Sequence, residues 1–242
     1  MTNKSKSVTH IDSLPAKVKT GFTLAETLIT LGIIGIVAAL TIPNLITNYQ
    51  KHVTVTKLQK AISVLNQAYK MSFDDVGEPS TSESFAMGGD AYFNKYWAPY
   101  IKTAIICKTY QQCGYKRINP WLGANHAVSN TAVVASNERT TFYTSDGFLY
   151  IIFTSQGGSK LGEHVKNSQV YVDINGGEGP NVYGRDLFVL ARVEEEGGGI
   201  QPYGYKSTAE DVDKQCSKDT FGMFCAEKIR RAGWKIEKDY PW

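Results

Sequence analysis

Histidine and cysteine are both scarce, with four of each in 242 residues. His10 lies in the N-terminal leader and His52 in a helical stretch, which leaves His126 and His164 for imidazole chemistry elsewhere. Neither falls in H-E-x-x-H or beside a nucleophile motif, so both read as loop or surface histidines. Gly157-Gly158 and the glycines at 197–199 lack the Lys-Ser/Thr ending and the strand-to-helix setting of a P-loop. No catalytic residue is predicted, and the chain reads as a non-enzyme.

Net charge is missing too. The chain has 26 basic and 23 acidic residues, and without the four lysines and one aspartate that precede Gly21 it holds 22 of each. A domain that binds nucleic acid by neutralising phosphates needs a basic surface in its folded part, so nucleic acid is not expected as a partner. C-x-x-C is also absent. The cysteines fall as two close pairs, Cys107 with Cys113 and Cys216 with Cys225. That spacing suits two small-loop disulfides in an oxidising compartment; buried free thiols are the alternative, and no further ligand sits at zinc spacing.

What the sequence does have is a long apolar run. Residues 22–42 carry one charge, Glu26. As a helix they reach about 31 Å, the thickness of a bilayer's hydrocarbon core. No A-x-A cleavage site comes after the run, as it would in a secretory signal. The leader's lysines hold that end in the cytoplasm and send the chain beyond the apolar run outward. A charge inside lipid costs about 2–3 kcal/mol, so Glu26 needs a partner. If the chain is cut after Gly21, the new α-amino group of Phe22 is one; the plain alternative is an anchor with Glu26 at headgroup level. Gly32 and Gly35 would let neighbouring helices approach closely, although glycine is also common in membrane helices. Pro43 removes an amide donor and should bend or locally open the helix.

Residues 21–26, GFTLAE, with the lysine-bearing leader before them and the apolar run after, closely resemble the prepilin-peptidase signal of type IV pilins and type II secretion pseudopilins. The resemblance covers about residues 16–45. It implies cleavage after Gly21 on the cytoplasmic side, N-methylation of Phe22, and a docking role for Glu26 in a growing filament. Pro43 falls where many pilins carry a helix-bending proline. The partners implied are prepilin peptidase, other pilin or pseudopilin subunits and an inner-membrane assembly platform. The location implied is the bacterial inner membrane, single-pass with the leader inside, then a periplasmic or cell-surface filament. Pilus and secretion pseudopilus are not separated by it.

Beyond Pro43, Leu45, Tyr49, Leu58, Ile62, Leu65 and Tyr69 mark an apolar stripe, with Lys51, Lys57, Lys60 and Lys70 elsewhere at helical spacing. This predicts a helix to about Phe73 whose second half packs on a globular domain. Residues 74–89 read as a loop, followed by a short helix through Tyr92, Phe93, Tyr96, Trp97 and Tyr100. That aromatic cluster reads as core rather than as a stacking surface for sugar or single-stranded nucleic acid. Asp146-Gly147 between apolar runs marks a hairpin over 139–154, and strands are expected near 169–174 and 186–193. About four antiparallel strands would lie across the helix, with a short helix at 221–232 closing the domain. The expected fold is α+β and pilin-like: leader 1–21, spanning half 22–42, amphipathic half 43–73 and extracytoplasmic domain 74–242.

The most site-like stretch of that domain is 173–186, DINGGEGPNVYGRD. Asp173, Asn175, Glu178, Asn181 and Asp186 could supply oxygen ligands to calcium, although the spacing is not that of an EF-hand. Some type II secretion pseudopilins hold calcium in a loop between late strands, a likeness of place. The other reading is a glycine-rich turn closed by local hydrogen bonds. No other cofactor is expected. The expected function is that of a structural filament subunit; the alternative is a membrane-tethered ligand-binding domain for which the helix is only an anchor.

Overall fold

Helix α1, Leu24–Val76, opens on a reciprocal cap. Thr23 Oγ1 accepts the Glu26 amide at 3.2 Å, while the Thr23 amide and hydroxyl both donate to Glu26 Oε2 at 2.8 Å. This is a capping box, which satisfies amides that a helix end otherwise leaves orphaned. The computed structural model describes residues 21–77, 86–102, 104–136, 139–153, 160–161, 164–165, 169–193 and 199–242. The leader before Gly21 and residues 78–85, half of the expected 74–89 loop, lie outside the described residues.

The described residues form two units, one ending at Thr47 and one comprising Asn48–Trp242. In the first, the large apolar side chains of α1 are exposed, from 79% at Leu24 to 50% at Ile42. α1 is long and apolar enough to cross a membrane. Its threonines turn their hydroxyls back onto the helix, Thr27 to Leu24 O, Thr30 to Thr27 O and Thr41 to Val37 O, so few polar groups face outward. Pro43 does not end the helix: α1 continues through it to Val76, three residues past the expected end.

In the second unit α1 buries Leu58, Ala61, Leu65 and Ala68 completely, with Val55, Tyr69 and Ser72 beside them. The expected stripe is corrected here. Leu45 and Tyr49 are exposed and Ile62 is only half-buried. The two alanines replace them because small side chains let the helix approach the sheet closely.

That sheet has six antiparallel strands rather than four, in the order β1-β2-β3-β6-β7-β8. They are β1 Ile105–Ile106, β2 Arg139–Tyr143, β3 Leu149–Phe153, β6 Gln169–Asp173, β7 Leu187–Val193 and β8 Gly199–Pro202; β4 Lys160–Leu161 and β5 His164–Val165 pair separately. β2 and β3 form the expected hairpin, with Phe142 opposite Tyr150, their rings stacked at 5.1 Å, and Gly147 at φ +83° in the turn.

Alternation along the strands feeds two cores. Phe142, Tyr150, Ile152, Val170, Val172, Phe188 and Leu190 face α1, α2 (Gly89–Tyr96) and the last helix. Leu149, Ile151, Tyr171, Leu187, Val189 and Ala191 face Trp121, Val133 and Phe224. β6 and β7 are therefore buried on both faces, and their central residues 170–172 and 187–191 read as unbroken apolar runs. The C-terminal part holds an unexpected helix, α3 Ala209–Gln215, and α4 Cys225–Arg231, shorter than the expected 221–232.

Candidate functional site

Two stretches stand out by sequence. In the first, Gly21 and Phe22 precede α1, and Phe22 is 87% exposed. Phe22 is not part of the helix, and the Glu26 carboxylate is engaged by Thr23. Both bonds go to Oε2, which leaves Oε1 open to a second donor. A Cβ added at Gly32 or Gly35 meets nothing within 4 Å in this chain, so neither glycine is required by its own fold. The apolar face they share has no packing partner among the described residues.

The second stretch, 173–186, links β6 to β7. Asp173 is fully buried: Oδ2 accepts the Tyr115 hydroxyl at 2.8 Å and Oδ1 the Asn175 amide at 3.2 Å. Asp186 uses both oxygens on the amides of Asn181 and Val182, each at 2.7 Å. Burial pushes the Asp173 carboxyl well above its ordinary range, the Asp186 charge adds to the rise, and the Tyr115 bond opposes it. Burial likewise raises Asp186 against the pull of the two amides. Two glycines are required here by close approach. A Cβ at Gly176 would stand 2.9 Å from Gly147 O, and one at Gly177 would stand 2.1 Å from Gly114 O, in the turn beside the first disulfide.

Of the expected oxygen ligands, the structure brings Asp173, Asn175, Asn181 and Asp186 together, while the Glu178 side chain is exposed. With its amide nitrogen turned inward, Asn181 donates to Asp173 Oδ2 at 3.2 Å, Gly176 O at 3.1 Å and Glu178 O at 3.0 Å. Those bonds tie the loop together. The opposite orientation would set four oxygens against one another, which either a proton on Asp173 or a cation would relieve.

Sequence reading missed the residues that surround this loop. Trp121, fully buried, stacks on Tyr171 at 5.7 Å, meets Tyr183 edge-on at 6.4 Å, and donates Nε1 to the Tyr115 hydroxyl at 3.4 Å. Trp121 and Tyr115 sit in a stretch with no periodicity, so nothing in the sequence marked them. Of the expected aromatic cluster, Tyr92, Phe93, Tyr96 and Trp97 are buried core and Tyr100 is partly buried against it. Both disulfides are present, Cys107–Cys113 and Cys216–Cys225, and the second fastens the end of α3 to the start of α4. His126 is exposed in a turn at φ +62°; the His164 side chain lies outside the described residues.

These elements define an α+β protein with a long apolar N-terminal helix, a membrane-anchor candidate, and a six-stranded antiparallel sheet. Residues 44–242 match a family of unknown function, DUF6613, and the chain belongs to it. The match begins directly after Pro43, so it takes in the whole second unit and leaves out the apolar run. No curated protein and no solved structure matches the chain.

Proposed function

We propose that this chain is a structural subunit of a type IV pilus-like or type II secretion pseudopilus filament, trimmed by prepilin peptidase and assembled through its N-terminal helix. The observation that carries the reading is GFTLAE at 21–26, whose last three residues open an exposed, membrane-length apolar helix. Packing that helix against copies of itself replaces lipid contacts with close packing at Gly32 and Gly35 and gives Glu26 Oε1 the amine of a neighbour's Phe22 as partner. Head-to-tail contacts that do not close generate fibres.

Mass analysis of the N-terminus in membrane fractions tests the reading. Phe22, N-methylated, is expected as the first residue, and Gly21→Ala is expected to insert but stay uncut. A native chain that keeps Met1 would instead fit a tethered domain.

A further inference from the structure

A groove of about 250 Å³ opens on the Asn48–Trp242 unit where loop 174–186 meets α1. Tyr49, Val53 and Lys57 enter it from the helix, Pro180 and Arg185 from the loop, and Trp242 from the C-terminal tail. Its mouth is cationic. The Arg185 guanidinium lies 5.3 Å from the Trp242 ring centroid and Lys51 Nζ lies 6.0 Å from the same ring. Among the described residues, no carboxylate forms an ion pair with Lys51, Lys57 or Arg185, and Arg185 Nε is buried without a hydrogen-bond partner. Among the described residues, Asp186 is the one acidic side chain in the wall, and both its oxygens are taken by the amides of Asn181 and Val182. The groove therefore presents basic side chains that no acidic side chain among the described residues pairs with, over an apolar floor.

A small inorganic anion would engage the cations and leave Tyr49, Val53 and Pro180 uncovered, whereas an anionic amphiphile satisfies both. α1 enters the groove at Tyr49, seven residues after Ile42 ends the apolar run, and Tyr49 is 69% exposed. Tyr and Trp flanked by Lys and Arg are the side chains favoured where bilayer meets water, and basic groups there draw anionic lipid. We propose that this groove binds the headgroup of an anionic phospholipid, with the phosphate toward Arg185 and Lys57 and the glycerol and first acyl carbons against Tyr49, Val53 and Pro180. The proposal requires only that α1 sits in a membrane, so it stands or falls separately from filament assembly.

The test uses the full chain in a neutral detergent, titrated with dihexanoyl phosphatidylglycerol, dihexanoyl phosphatidylcholine or inorganic phosphate. Tryptophan fluorescence is followed, with Trp242→Phe as the reference. A saturable, Trp242-dependent change is expected with phosphatidylglycerol. Binding of phosphatidylcholine is expected to be at least about tenfold weaker, and the same loss is expected for phosphatidylglycerol on Arg185→Gln/Lys57→Gln. Equal binding of the two lipids, or no effect of the substitutions, overturns the proposal. A matching response to phosphate alone overturns it in favour of a free-anion site. Should the double variant fail to fold, Lys51→Gln replaces it, and binding unchanged in Lys51→Gln counts against the proposal. Glu26→Ala is expected to leave lipid binding intact, which keeps this outcome distinct from a failure of assembly.

Discussion

Glu26 Oε2 takes both bonds from Thr23, which lies after the proposed cleavage position, so the cap would survive the proposed trimming; Oε1 takes no bond among the described residues, and in the proposed filament it would receive a neighbour's cation. Glutamine separates the two, since its carbonyl can keep the cap while the charge is gone. If the charge drives docking, Glu26→Gln assembles as poorly as Glu26→Ala, with normal trimming in both, as read by sheared-filament yield and N-terminal mass. Wild-type filament yield from Glu26→Gln would mean that the acid is only a cap. Asn181 poses a like question in the loop. With its amide nitrogen turned inward it donates to three oxygens, one of them on a buried acid whose pKa is already raised by burial. Asn181→Asp turns donors into a second charge there and is expected to cost about 2–4 kcal/mol, with no recovery on adding calcium. Recovery by calcium, seen as a rise in the unfolding midpoint, would show that the loop holds a cation.

At the scale of elements, the edge strand β8 is held by a side chain from α1. Asn66 Oδ1 accepts the Ile200 amide at 2.9 Å and its Nδ2 donates to Ile200 O at 2.8 Å, the pair of bonds a neighbouring strand would supply. Gly199 sits at φ +119°, and a Cβ there would lie 2.5 Å from Asn66 Oδ1. Asn66→Ala leaves both Ile200 groups without partners and is expected to cost about 1–3 kcal/mol by urea unfolding with an unchanged slope. A loss below about 0.5 kcal/mol would show that water replaces the amide. None of this was legible from residue spacing, because a lone Asn on a helix and a four-residue strand that ends in Pro202 carry no periodic signal. The hairpin at 139–153 and the strands β6 and β7 were legible, since Asp-Gly marks a turn and β-branched runs mark buried strands. α3 was not, having only Val212 buried, and the stripe of α1 was misplaced because large side chains were counted and Ala61 and Ala68 were not. The 173–186 loop stood out by its Asp, Asn and Gly content. The groove beside it did not, because Lys51, Arg185 and Trp242 are gathered from three distant parts of the chain.

Across the whole molecule, the only element among the described residues of the first unit is α1, while the unit matched by the family is fastened repeatedly at its C-terminal end. Buried Glu227 binds Arg230 and Arg231 at 2.6–2.7 Å, and Arg231 reaches Ser207 O at 2.7 Å. Tyr240 donates to Gly184 O at 2.5 Å, so the tail also secures the loop that forms the groove. Lys228 joins α3 to the tail through Asp213 at 3.1 Å and Asp239 at 2.6 Å. Burial tends to lower the Lys228 ammonium, yet the bonds from Asp239 and Asp213 hold it above 10.5; the Lys228 bond in turn holds Asp239 below 3.8. The Asp239 contribution is thus present above pH 3.8 and disappears as pH falls through its depressed value, whereas that of Lys228 is present below pH 10.5 and disappears as pH rises past its elevated one. Asp239→Asn should therefore lower the unfolding midpoint by a constant amount at neutral pH, and the gap from wild type should close on acidification below pH 3.8. A gap that persists unchanged in acid would mean that the tail is held by Tyr240 packing and not by the ion pair.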